Sequence, residues 1–385
     1  MKDSTKAIRN QLDRSSYREH SAPMFLTSSF VYDSAEHAEQ MFAGEGEGDI
    51  YSRFTNPNTT EFIQKMCALE KAEEGVATAS GMAAVFSSLA AHLSTGDHLL
   101  ASNALFGNSL YIIKNILPKW GVEYTLVDIR DKDAWENGFK SNTRMVLIET
   151  PSNPALDLID LEWIQAECKK HNVLLNVDNC FATPILQKPI EYGADIVTHS
   201  GTKFIDGQGR VLGGVVVGSN EAISPVFDFL RRTGACLSPF NAWLLSKSLE
   251  TLDVRMERHC DNALKLAEFL EDDPRISQVR YPFLRSHEQY DLAQKQMKKG
   301  GGIVTFNLNG GKEECFSFIN RLNLLSITAN LGDSRTIITH PMTTTHSKMS
   351  SEEQKQVGIA PATVRISVGL EDISDILEDI DQALK

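Results

Sequence analysis

The alternation of strand-like and helix-like segments between residues 75 and 218 limits what this chain can fold into more than any other feature of its sequence. Short apolar runs with β-branched residues alternate there with helical segments, which indicates a mainly parallel sheet covered by helices on both faces. The runs at 145–148 (MVLI) and 173–177 (VLLNV) are almost wholly apolar, as expected of strands buried on both sides. We therefore predict an α/β fold. The predicted strands are 75–79, 97–102, 122–128, 143–150, 173–178, 194–200 and 211–218, and the predicted helices are 81–93, 108–120 and 161–171.

The pattern changes after residue 240. Residues 241–270 form one long helical pattern, and the first 55 residues have weak periodicity, which we interpret as an extended arm. Because 385 residues are enough for two domains, we predict a large domain over 56–250 and a smaller C-terminal α/β domain over 251–385. Shorter strand-like units follow the long helix at 276–282, 301–308, 324–329 and 363–370.

Composition narrows the classes of function. The formal net charge of −13 argues against binding of the nucleic-acid backbone, which requires clustered Lys and Arg. No stretch approaches the roughly 20 apolar residues that span a bilayer, and the N-terminus lacks the apolar segment of a signal peptide. The six cysteines include no CxxC pair and are interpreted as reduced thiols. We expect a cytoplasmic protein that acts on small molecules, without nucleic-acid or membrane partners.

Polar residues follow four of the predicted strands. Ligands of open α/β sheets bind outside the carboxyl ends of the strands, so these residues are expected to meet at one edge of the sheet. They are Ser80 to Met82, Glu149 to Asn153, Asp178, and Ser200 to Lys203.

Each of these signals also has an ordinary structural interpretation. Ser80, which precedes Gly81 and an apolar helix, could be a plain N-cap or part of an anion site built on free N–H groups. Asp178 could form an Asx-type turn or direct a carboxylate into the crevice. A lysine in a loop, such as Lys203, is usually a solvated surface charge.

Taken together, the four sites fit one ligand, a phosphorylated pyridine aldehyde. Its phosphate needs N–H and hydroxyl donors, and Gly81, Ser200 and Thr202 are placed to supply them. Its ring nitrogen needs a carboxylate such as Asp178 to stay protonated, and its aldehyde needs a lysine such as Lys203 for a Schiff base. A lysine beside a cationic ring and away from bulk water has a lowered pKa, which makes it a competent nucleophile and base.

Two other motifs suggest different chemistry and do not hold. Gly207, Gly209 and Gly213 resemble a dinucleotide-binding fingerprint, but the spacing is GxGxxxG and the segment continues into a strand instead of a helix. His340 and His346 have no evident third ligand for a metal ion, so no metal site is predicted.

Several stretches, in order along the chain, resemble those of the pyridoxal 5'-phosphate enzymes of cysteine and methionine metabolism. This family includes cystathionine γ-synthase, cystathionine γ-lyase, methionine γ-lyase and the homoserine-ester sulfhydrylases. The resemblance covers nearly the whole chain, and its strength comes from the number of ordered matches, since each match alone is weak. It implies the fold type I transferase architecture and pyridoxal 5'-phosphate as cofactor. The matching stretches are YSRFTNPN (51–58), ATASGM (77–82), ETPSNP (149–154), VDNCFATP (177–184), HSGTK (199–203) and RISVGLED (365–372).

The resemblance also implies roles for individual residues. Lys203 would carry the cofactor, and Lys203 and Tyr51 would be the catalytic groups. Arg365 would clamp the substrate α-carboxylate with its bidentate fork, with Asn330 as a second substrate contact. Tyr51 and Arg53 would reach the phosphate of a neighbouring subunit, so the active unit is at least a dimer, and the family is typically tetrameric. For Arg53 and Arg365 the alternative role is a structural ion pair. The residues expected to contact the cofactor are Tyr51, Arg53, Ser80, Gly81, Met82, Phe106, Asn153, Asp178, Ser200, Thr202 and Lys203.

Three departures from the family pattern narrow the activity. Phe106 aligns with a tyrosine that many members stack on the cofactor ring, and it can stack but cannot transfer a proton. Asn108 stands where methionine γ-lyases carry a cysteine, which argues against that activity. Asn330 stands where many lyases have a serine.

Within the family, five further stretches resemble most those of the O-succinylhomoserine sulfhydrylases. They are EHSAPMFLTSSFVY (19–32), DGQGRVLGG (206–214), CLSPFNAW (236–243), ITANLGD (327–333) and HPMTTTH (340–346). The resemblance therefore implies γ-replacement, in which O-succinylhomoserine and sulfide give homocysteine and succinate. Cystathionine γ-synthase, with cysteine as nucleophile, and O-acetylhomoserine sulfhydrylase are the alternatives, and a γ-lyase is less favoured. A non-catalytic cofactor-binding regulator would not need Lys203, Asp178 and Arg365 together. The succinyl carboxylate needs a cationic partner, for which the open candidates are Arg210, Arg231, Arg232 and Arg335.

Overall fold

A seven-stranded sheet organises the larger part of the computed structural model, which describes residues 1–385. The strand order is β1-β7-β6-β5-β4-β2-β3. All neighbours are parallel except β7, which runs antiparallel to β1 and β6. The predicted, mainly parallel sheet is confirmed, and each predicted strand is present. The strands are β1 Glu74–Thr78, β2 His98–Ser102, β3 Glu123–Val127, β4 Thr143–Glu149, β5 Leu174–Asp178, β6 Ile196–Ser200 and β7 Gly214–Gly218.

Helices cover both faces of this sheet. Alternate residues of β4 enter different cores, because successive side chains of a strand point to opposite faces. Val146 and Ile148 pack in one apolar cluster, and Met145 and Leu147 pack in the other. Each such fully buried aliphatic side chain contributes roughly 1.5–3 kcal/mol, so burial on both faces holds the sheet rigidly. No helix combines the length and apolar composition needed to cross a membrane.

The helices alternate with the strands as the sequence pattern predicted. The predicted helix over 108–120 is a continuous α, π and 3-10 segment from Gly107 to Trp120. The α-helices are Asp3–Arg9, Ala35–Ala43, Pro57–Glu70, Gly81–Ala90, Gly107–Tyr111, Lys132–Gly138, Leu161–His171, Thr183–Leu186, Asn220–Thr233, Pro239–Leu249, Leu252–Glu271, Tyr290–Gln296, Lys312–Arg321, Ser351–Gln356 and Ile373–Leu384. The π-helical turns are Ile112–Ile116 and Gly201–Ile205, and the 3-10 turns are Leu117–Trp120, Pro189–Tyr192 and Pro341–Thr343.

A second sheet forms after residue 275. Its five strands lie in the order β10-β11-β12-β9-β8. A separate apolar cluster, which includes Leu266, Phe306 and Ile380, joins this sheet to its helices. The predicted strand-like units are confirmed, and β11 is an additional short strand that the sequence pattern did not reveal. The strands are β8 Ile276–Arg280, β9 Ile303–Leu308, β10 Ser326–Ile327, β11 Ile337–Thr339 and β12 Thr363–Ser367.

The predicted long helix over 241–270 was wrong in one respect. The structure has two helices, Pro239–Leu249 and Leu252–Glu271, with a break between them. The buried guanidinium of Arg255 donates to the carbonyl of Ser248 at 2.9 Å and to the carbonyl of Ile205 at 3.0 Å. A tertiary contact therefore satisfies the end of the first helix, which local periodicity does not report.

The first 55 residues contain more structure than weak periodicity indicated. The helix Asp3–Arg9 lies against the helix Pro57–Glu70, where Ala7 is buried and Lys6 Nζ donates to the carbonyl of Ala68 at 3.3 Å. A second helix covers Ala35–Ala43. The predicted domain boundaries at 55 and 250, and the predicted contact of this segment with a neighbouring subunit, stay predictions.

Candidate active site

Four strands bring polar residues to one edge of the large sheet, as predicted. In the parallel strands β4, β5 and β6, Glu149 pairs in register with Asp178, and Asp178 pairs with Thr198. The turn that contains Lys203 begins directly after Ser200, the last residue of β6. The carboxyl edge of the sheet thus carries two acidic side chains and one lysine.

Lys203 is half-buried, and its amine points to a single polar neighbour. Its Nζ donates to Oδ1 of Asn330 at 2.6 Å. Burial lowers the pKa of the Lys203 amine; nearby Cys180 opposes this shift, and the positive charge of Arg365 adds to it. A lysine with a lowered pKa and no paired carboxylate is not a solvated surface charge, so the functional interpretation is favoured.

A loop from the smaller sheet carries Asn330 to the lysine. Gly332 has φ +74°, and a Cβ at this position would lie 2.5 Å from the backbone nitrogen of Phe204, so glycine is needed for this close approach. The N–H of Ser334 donates to the carbonyl of Gly207 at 2.8 Å. The loop is therefore fixed against the turn that contains Lys203.

Arg365 lies on β12 and is 1% exposed. Its Nη1 donates to Oδ1 of Asn153 at 2.8 Å, and its Nη2 donates to the carbonyl of Asn330 at 3.3 Å. Its Nε has no partner. Burial lowers the pKa of Arg365 to about 10, although the charge of Glu149 opposes the shift. A buried guanidinium held by neutral groups is available for an incoming carboxylate, which argues against the structural ion pair.

Asp178 combines both interpretations that the sequence allowed. Its Oδ1 accepts from the N–H of Cys180 at 3.1 Å, which is the Asx-type turn. Burial raises its pKa to about 6, while the Cys180 N–H and the nearby His199 lower it. A cationic ligand at this carboxylate would favour its ionised form.

The predicted phosphate site is assembled around the start of the helix Gly81–Ala90. A Cβ on Gly81 would lie 2.5 Å from the Cβ of Ser200, so only glycine permits this approach. The Ser80 hydroxyl caps the helix by accepting from the N–H of Ala83 at 3.1 Å. The Thr202 hydroxyl accepts from the N–H of Gly213 at 3.2 Å. Gly81 and Ser200 are thus in close contact, and the hydroxyls of Ser80 and Thr202 already have backbone partners. The binding of a phosphate here by Gly81, Met82, Ser200 and Thr202 stays a prediction.

The remaining predicted cofactor contacts lie around this edge. The backbone N–H of Phe106 donates to Oε2 of Glu149 at 2.7 Å. Met82 is half-buried at the start of its helix and packs against an apolar cluster. Asn153 is buried, and its side-chain oxygen is the acceptor for Arg365.

Tyr51 and Arg53 are not brought to Lys203 of the same chain. Tyr51 is 41% exposed, and its ring centroid lies 6.1 Å from that of Phe54. The guanidinium of Arg53 lies 4.9 Å from the Phe54 ring centroid and donates to the carbonyl of Arg231. Their predicted contact with the cofactor of a neighbouring subunit stays a prediction.

The candidate partners of the succinyl carboxylate all have other contacts in the chain. Arg210 contacts Asp206 at 2.8 Å, and Arg232 contacts Asp228 at 2.8 Å. These contacts do not single out one arginine. The other two candidates are Arg231, which stacks on aromatic rings, and Arg335, which contacts Asp333 at 2.9 Å.

Sequence reasoning gave no role to two buried groups at the site. Glu149 ends an apolar strand as Asp178 does, and this signal predicted its position at the sheet edge but gave it no task there. His346 is 1% exposed, and burial, together with the charge of Arg365, lowers its pKa to about 4. No sequence signal marks its closeness to Arg365.

The residues at this edge fit pyridoxal 5'-phosphate. The first N–H groups of a helix have no partner within the helix, and Gly81 leaves room for a phosphate there. Lys203 supplies an amine of lowered pKa, and Asp178 supplies a carboxylate for a cationic ring nitrogen.

Comparison with known proteins agrees with this chemistry. A family model described as "Cys/Met metabolism PLP-dependent enzyme" matches residues 4–385. The chain is 44% identical over 380 residues to the O-succinylhomoserine sulfhydrylase of Pseudomonas aeruginosa, which is 99% of this chain and 94% of that protein. It is 42% identical to the L-methionine gamma-lyase of Fusobacterium nucleatum subsp. polymorphum, over 99% of this chain and 97% of that protein.

The solved structures confirm the fold type I architecture. The chain superposes with a TM-score of 0.96 on a putative O-acetylhomoserine (thiol)-lyase from Campylobacter jejuni, at 33% identity and with 100% of both chains covered. That structure carries N'-pyridoxyl-lysine-5'-monophosphate. A lysine of lowered pKa, a carboxylate and the N-terminus of a helix that starts at Gly81 meet at one sheet edge, and the family match covers nearly every residue. The chain therefore belongs to the pyridoxal-phosphate-dependent enzymes of cysteine and methionine metabolism, as its motifs predicted.

Proposed function

We propose that this protein catalyses γ-replacement on O-succinylhomoserine, with sulfide as the nucleophile. The products are homocysteine and succinate, so the reaction would serve methionine biosynthesis. Its similarity over almost its whole length to O-succinylhomoserine sulfhydrylases supports this activity. The structural observation that carries it is the link through Asn330, whose side chain accepts from Lys203 and whose carbonyl accepts from Arg365.

This link places an amine base beside a carboxylate clamp. The α-carboxylate of an amino-acid substrate would bind Arg365, which is buried and has a free Nε. The substrate Cα would then lie on the side of the clamp that faces Lys203. Because Asn153 and Asn330 fix the guanidinium, little conformational entropy is lost when the substrate binds.

Several residues would hold the cofactor. Asp178 would accept from its ring nitrogen, Phe106 would stack on its ring, and Gly81, Met82, Ser200 and Thr202 would surround its phosphate. When bound, pyridoxal 5'-phosphate supplies the electron sink that makes protons on the adjacent substrate carbons acidic.

Proton transfer would be the task of Lys203. Its lowered pKa leaves more of the amine uncharged near neutral pH, so it can remove the proton from Cα and then assist at Cβ. The bond between Cγ and the ester oxygen breaks, and succinate leaves with the electron pair. Sulfide forms the new bond at Cγ, and protons return to Cβ and Cα. The sum is one ester and one hydrogen sulfide converted to one thiol and one carboxylic acid.

We propose that the active unit contains at least two chains and that the final assembly is a homotetramer. Tyr51 and Arg53 are exposed and contact Phe54 and Arg231, which leaves both free for a role in a neighbouring site. Tyr51 would share the acid–base work with Lys203, since Phe106 has no proton to give. The six unpaired cysteines suit the proposed cytoplasmic location.

One experiment separates this activity from its alternatives. The purified enzyme, loaded with pyridoxal 5'-phosphate, is incubated with O-succinylhomoserine in three arms, which contain sulfide, cysteine or no nucleophile. Homocysteine, cystathionine and α-ketobutyrate are measured together. We expect homocysteine to form fastest, with the Lys203→Ala variant inactive in every arm.

Each contrary result would identify another activity. Predominant cystathionine would make the enzyme a cystathionine γ-synthase, and α-ketobutyrate that predominates even when sulfide or cysteine is present would favour a γ-lyase. Because the chain is also similar to L-methionine gamma-lyases, the γ-lyase activity is tested in addition with methionine as the substrate. If the enzyme converted O-acetylhomoserine but not O-succinylhomoserine, its substrate would be the acetyl ester.

A further inference from the structure

Glu149 is a buried carboxylate at the active site that has no part in the proposed reaction. It is 3% exposed and ends β4, where it pairs in register with Asp178 of β5. Neighbouring strands lie about 4.8 Å apart, and register partners direct their side chains to the same face. The two carboxyl groups are therefore neighbours on one face of the sheet.

Glu149 also determines where Phe106 lies. Its Oε2 accepts from the backbone N–H of Phe106 at 2.7 Å. Phe106 immediately precedes the short helix Gly107–Tyr111 and is the residue expected to stack on the cofactor ring. Without this acceptor, a half-buried N–H would lose its partner and the start of the helix would be free to shift.

A buried carboxylate and a half-buried one this close cannot both be charged at low cost. The other charged group that faces Glu149 is Arg365 on β12, which makes no direct hydrogen bond to it. Burial, and then the charge of Asp178, raise the pKa of Glu149 well above its usual range. The pair is thus expected to hold one proton, and to hold it on Glu149.

Asp178 is placed to carry the charge of the pair. It accepts from the Cys180 N–H, and the titratable groups around it are Glu149, His199 and, across Cys180, Lys203. Asp178 is half-buried whereas Glu149 is 3% exposed, and the carboxylate that is nearer to solvent is the better site for the negative charge. When two neighbouring carboxyl groups lie in different environments, one keeps the proton and the other carries the charge.

We propose that Glu149 is a positioning residue of the cofactor site, which holds Phe106 through its backbone N–H and keeps a proton so that Asp178 carries the negative charge. The inference rests on the proposed cofactor roles of Asp178 and Phe106. The inference requires Glu149 to be a neutral acid. An amide in its place should therefore still hold Phe106 and leave the charge on Asp178.

Three variants separate the hydrogen bond from the charge. Glu149→Gln keeps an acceptor for Phe106 and resembles the neutral acid in shape. Glu149→Ala removes the acceptor. Asp195→Asn is the matched control, because Asp195 also accepts from a backbone N–H, that of Leu175 at 2.8 Å, but at the opposite edge of the sheet.

The first readout is the dissociation constant of each cofactor-free protein for pyridoxal 5'-phosphate. We expect Glu149→Gln and Asp195→Asn to bind within about twofold of the wild type, and Glu149→Ala to bind about tenfold or more weakly. A thermal unfolding curve of each cofactor-free protein tests whether it is folded, and Glu149→Gln keeps the test valid if Glu149→Ala does not fold. Equal losses in Glu149→Gln and Glu149→Ala would overturn the neutral-acid role.

The second readout is the infrared band of a protonated carboxyl group at neutral pH. It should be present in the wild type and in Asp195→Asn and absent in Glu149→Gln. A band that Glu149→Gln leaves unchanged would overturn the inference. Neither readout needs turnover, so a wild type that binds the cofactor but forms no homocysteine would refute the proposed activity alone.

Discussion

The amine of Lys203 and the side-chain oxygen of Asn330 are joined by a 2.6 Å hydrogen bond across 127 residues of sequence. The carbonyl of the same asparagine accepts from Arg365 at 3.3 Å. One loop residue from the smaller sheet therefore contacts both the proposed base and the proposed carboxylate clamp. Movement of this loop would change the position of both groups together.

The Asn330 contact makes the pH dependence of the enzyme predictable. Burial lowers the pKa of Lys203, so the uncharged base becomes more abundant as pH rises through that lowered value. Asn330→Asp would place a negative charge beside the amine, favour its protonated form and raise its pKa. We expect the acidic limb of the kcat profile to move to higher pH, with activity at pH 7 reduced about tenfold or more.

The control for this variant is Asn309→Asp, since Asn309 lies on the surface and donates to the carbonyl of Pro274. Its pH profile should match that of the wild type. An unchanged acidic limb in Asn330→Asp would show that the contact with Lys203 is absent from the working enzyme.

Arg365 should control substrate affinity more than cofactor affinity. Arg365→Lys keeps a positive charge but loses the planar fork that two asparagines orient. We expect KM for O-succinylhomoserine to rise about 30-fold or more, which corresponds to roughly 2 kcal/mol or more of lost binding. The visible absorbance of the bound cofactor should be unchanged. A fall in kcat at constant KM would contradict the proposed α-carboxylate site.

Asp178 should reduce the stability of the cofactor-free protein at neutral pH. Its pKa is raised to about 6 in the folded state, compared with about 3.9 when unfolded. Between these values the folded state binds more protons, so stability falls as pH rises from about 4 to about 6. Asp178→Asn should therefore unfold later in urea above pH 6, by about 1–2 kcal/mol because Asp178 is partly exposed.

This gain should disappear below about pH 4, where Asp178 is protonated in both states. The same variant should bind pyridoxal 5'-phosphate more weakly, which separates stability from function. If Asp178→Asn is less stable than the wild type at pH 8 without the cofactor, burial is not what raises the pKa of this carboxyl.

Gly81 should tolerate no side chain. In Gly81→Ala the new Cβ would lie 2.5 Å from the Cβ and 2.9 Å from the Cα of Ser200, and the backbone there cannot move easily. We expect a loss of about 1–3 kcal/mol in the free energy of unfolding, together with weaker cofactor binding. In the control Gly311→Ala, the nearest atom to the new Cβ is at 3.7 Å, so no steric clash arises, cofactor binding should be unchanged, and only the smaller loss of a poorer helix N-cap is expected. A Gly81→Ala variant as stable as the wild type would refute this close approach.

Two inactive variants should recover activity when they are combined in one dimer, if each active site takes Lys203 from one chain and Arg53 from the other. In a mixed dimer of Lys203→Ala and Arg53→Ala, one site would carry both changes and the other would carry neither. Refolding equal amounts together should recover about a quarter of wild-type specific activity. The separately refolded variants mixed afterwards, without exchange of subunits, are the control. No recovery in the co-refolded sample would place Arg53 in the site of its own chain.

Much of the large sheet and its functional edge is decided by local sequence. Apolar runs and helical segments alternate from residue 75 to residue 218, and carboxyl ends of parallel strands meet at one edge whatever the detailed packing. The positions of Asp178 and Lys203 at strand ends were predictable for that reason. The family motifs then identified the cofactor, which the comparisons confirm.

Tertiary structure alone decided the contacts that join distant segments. Arg255 donates to the carbonyl of Ile205 across 50 residues, and Arg365 meets Asn153 across 212 residues of sequence. The spacing of apolar residues reveals the period of 2 in a strand or 3.6 in a helix, but these contacts depend on how the two sheets pack together. The raised pKa of Glu149 has the same origin, because burial and the neighbouring Asp178 in the next strand cause it. The chain thus encodes its elements locally, and the chemistry of its charged groups emerges only when those elements pack.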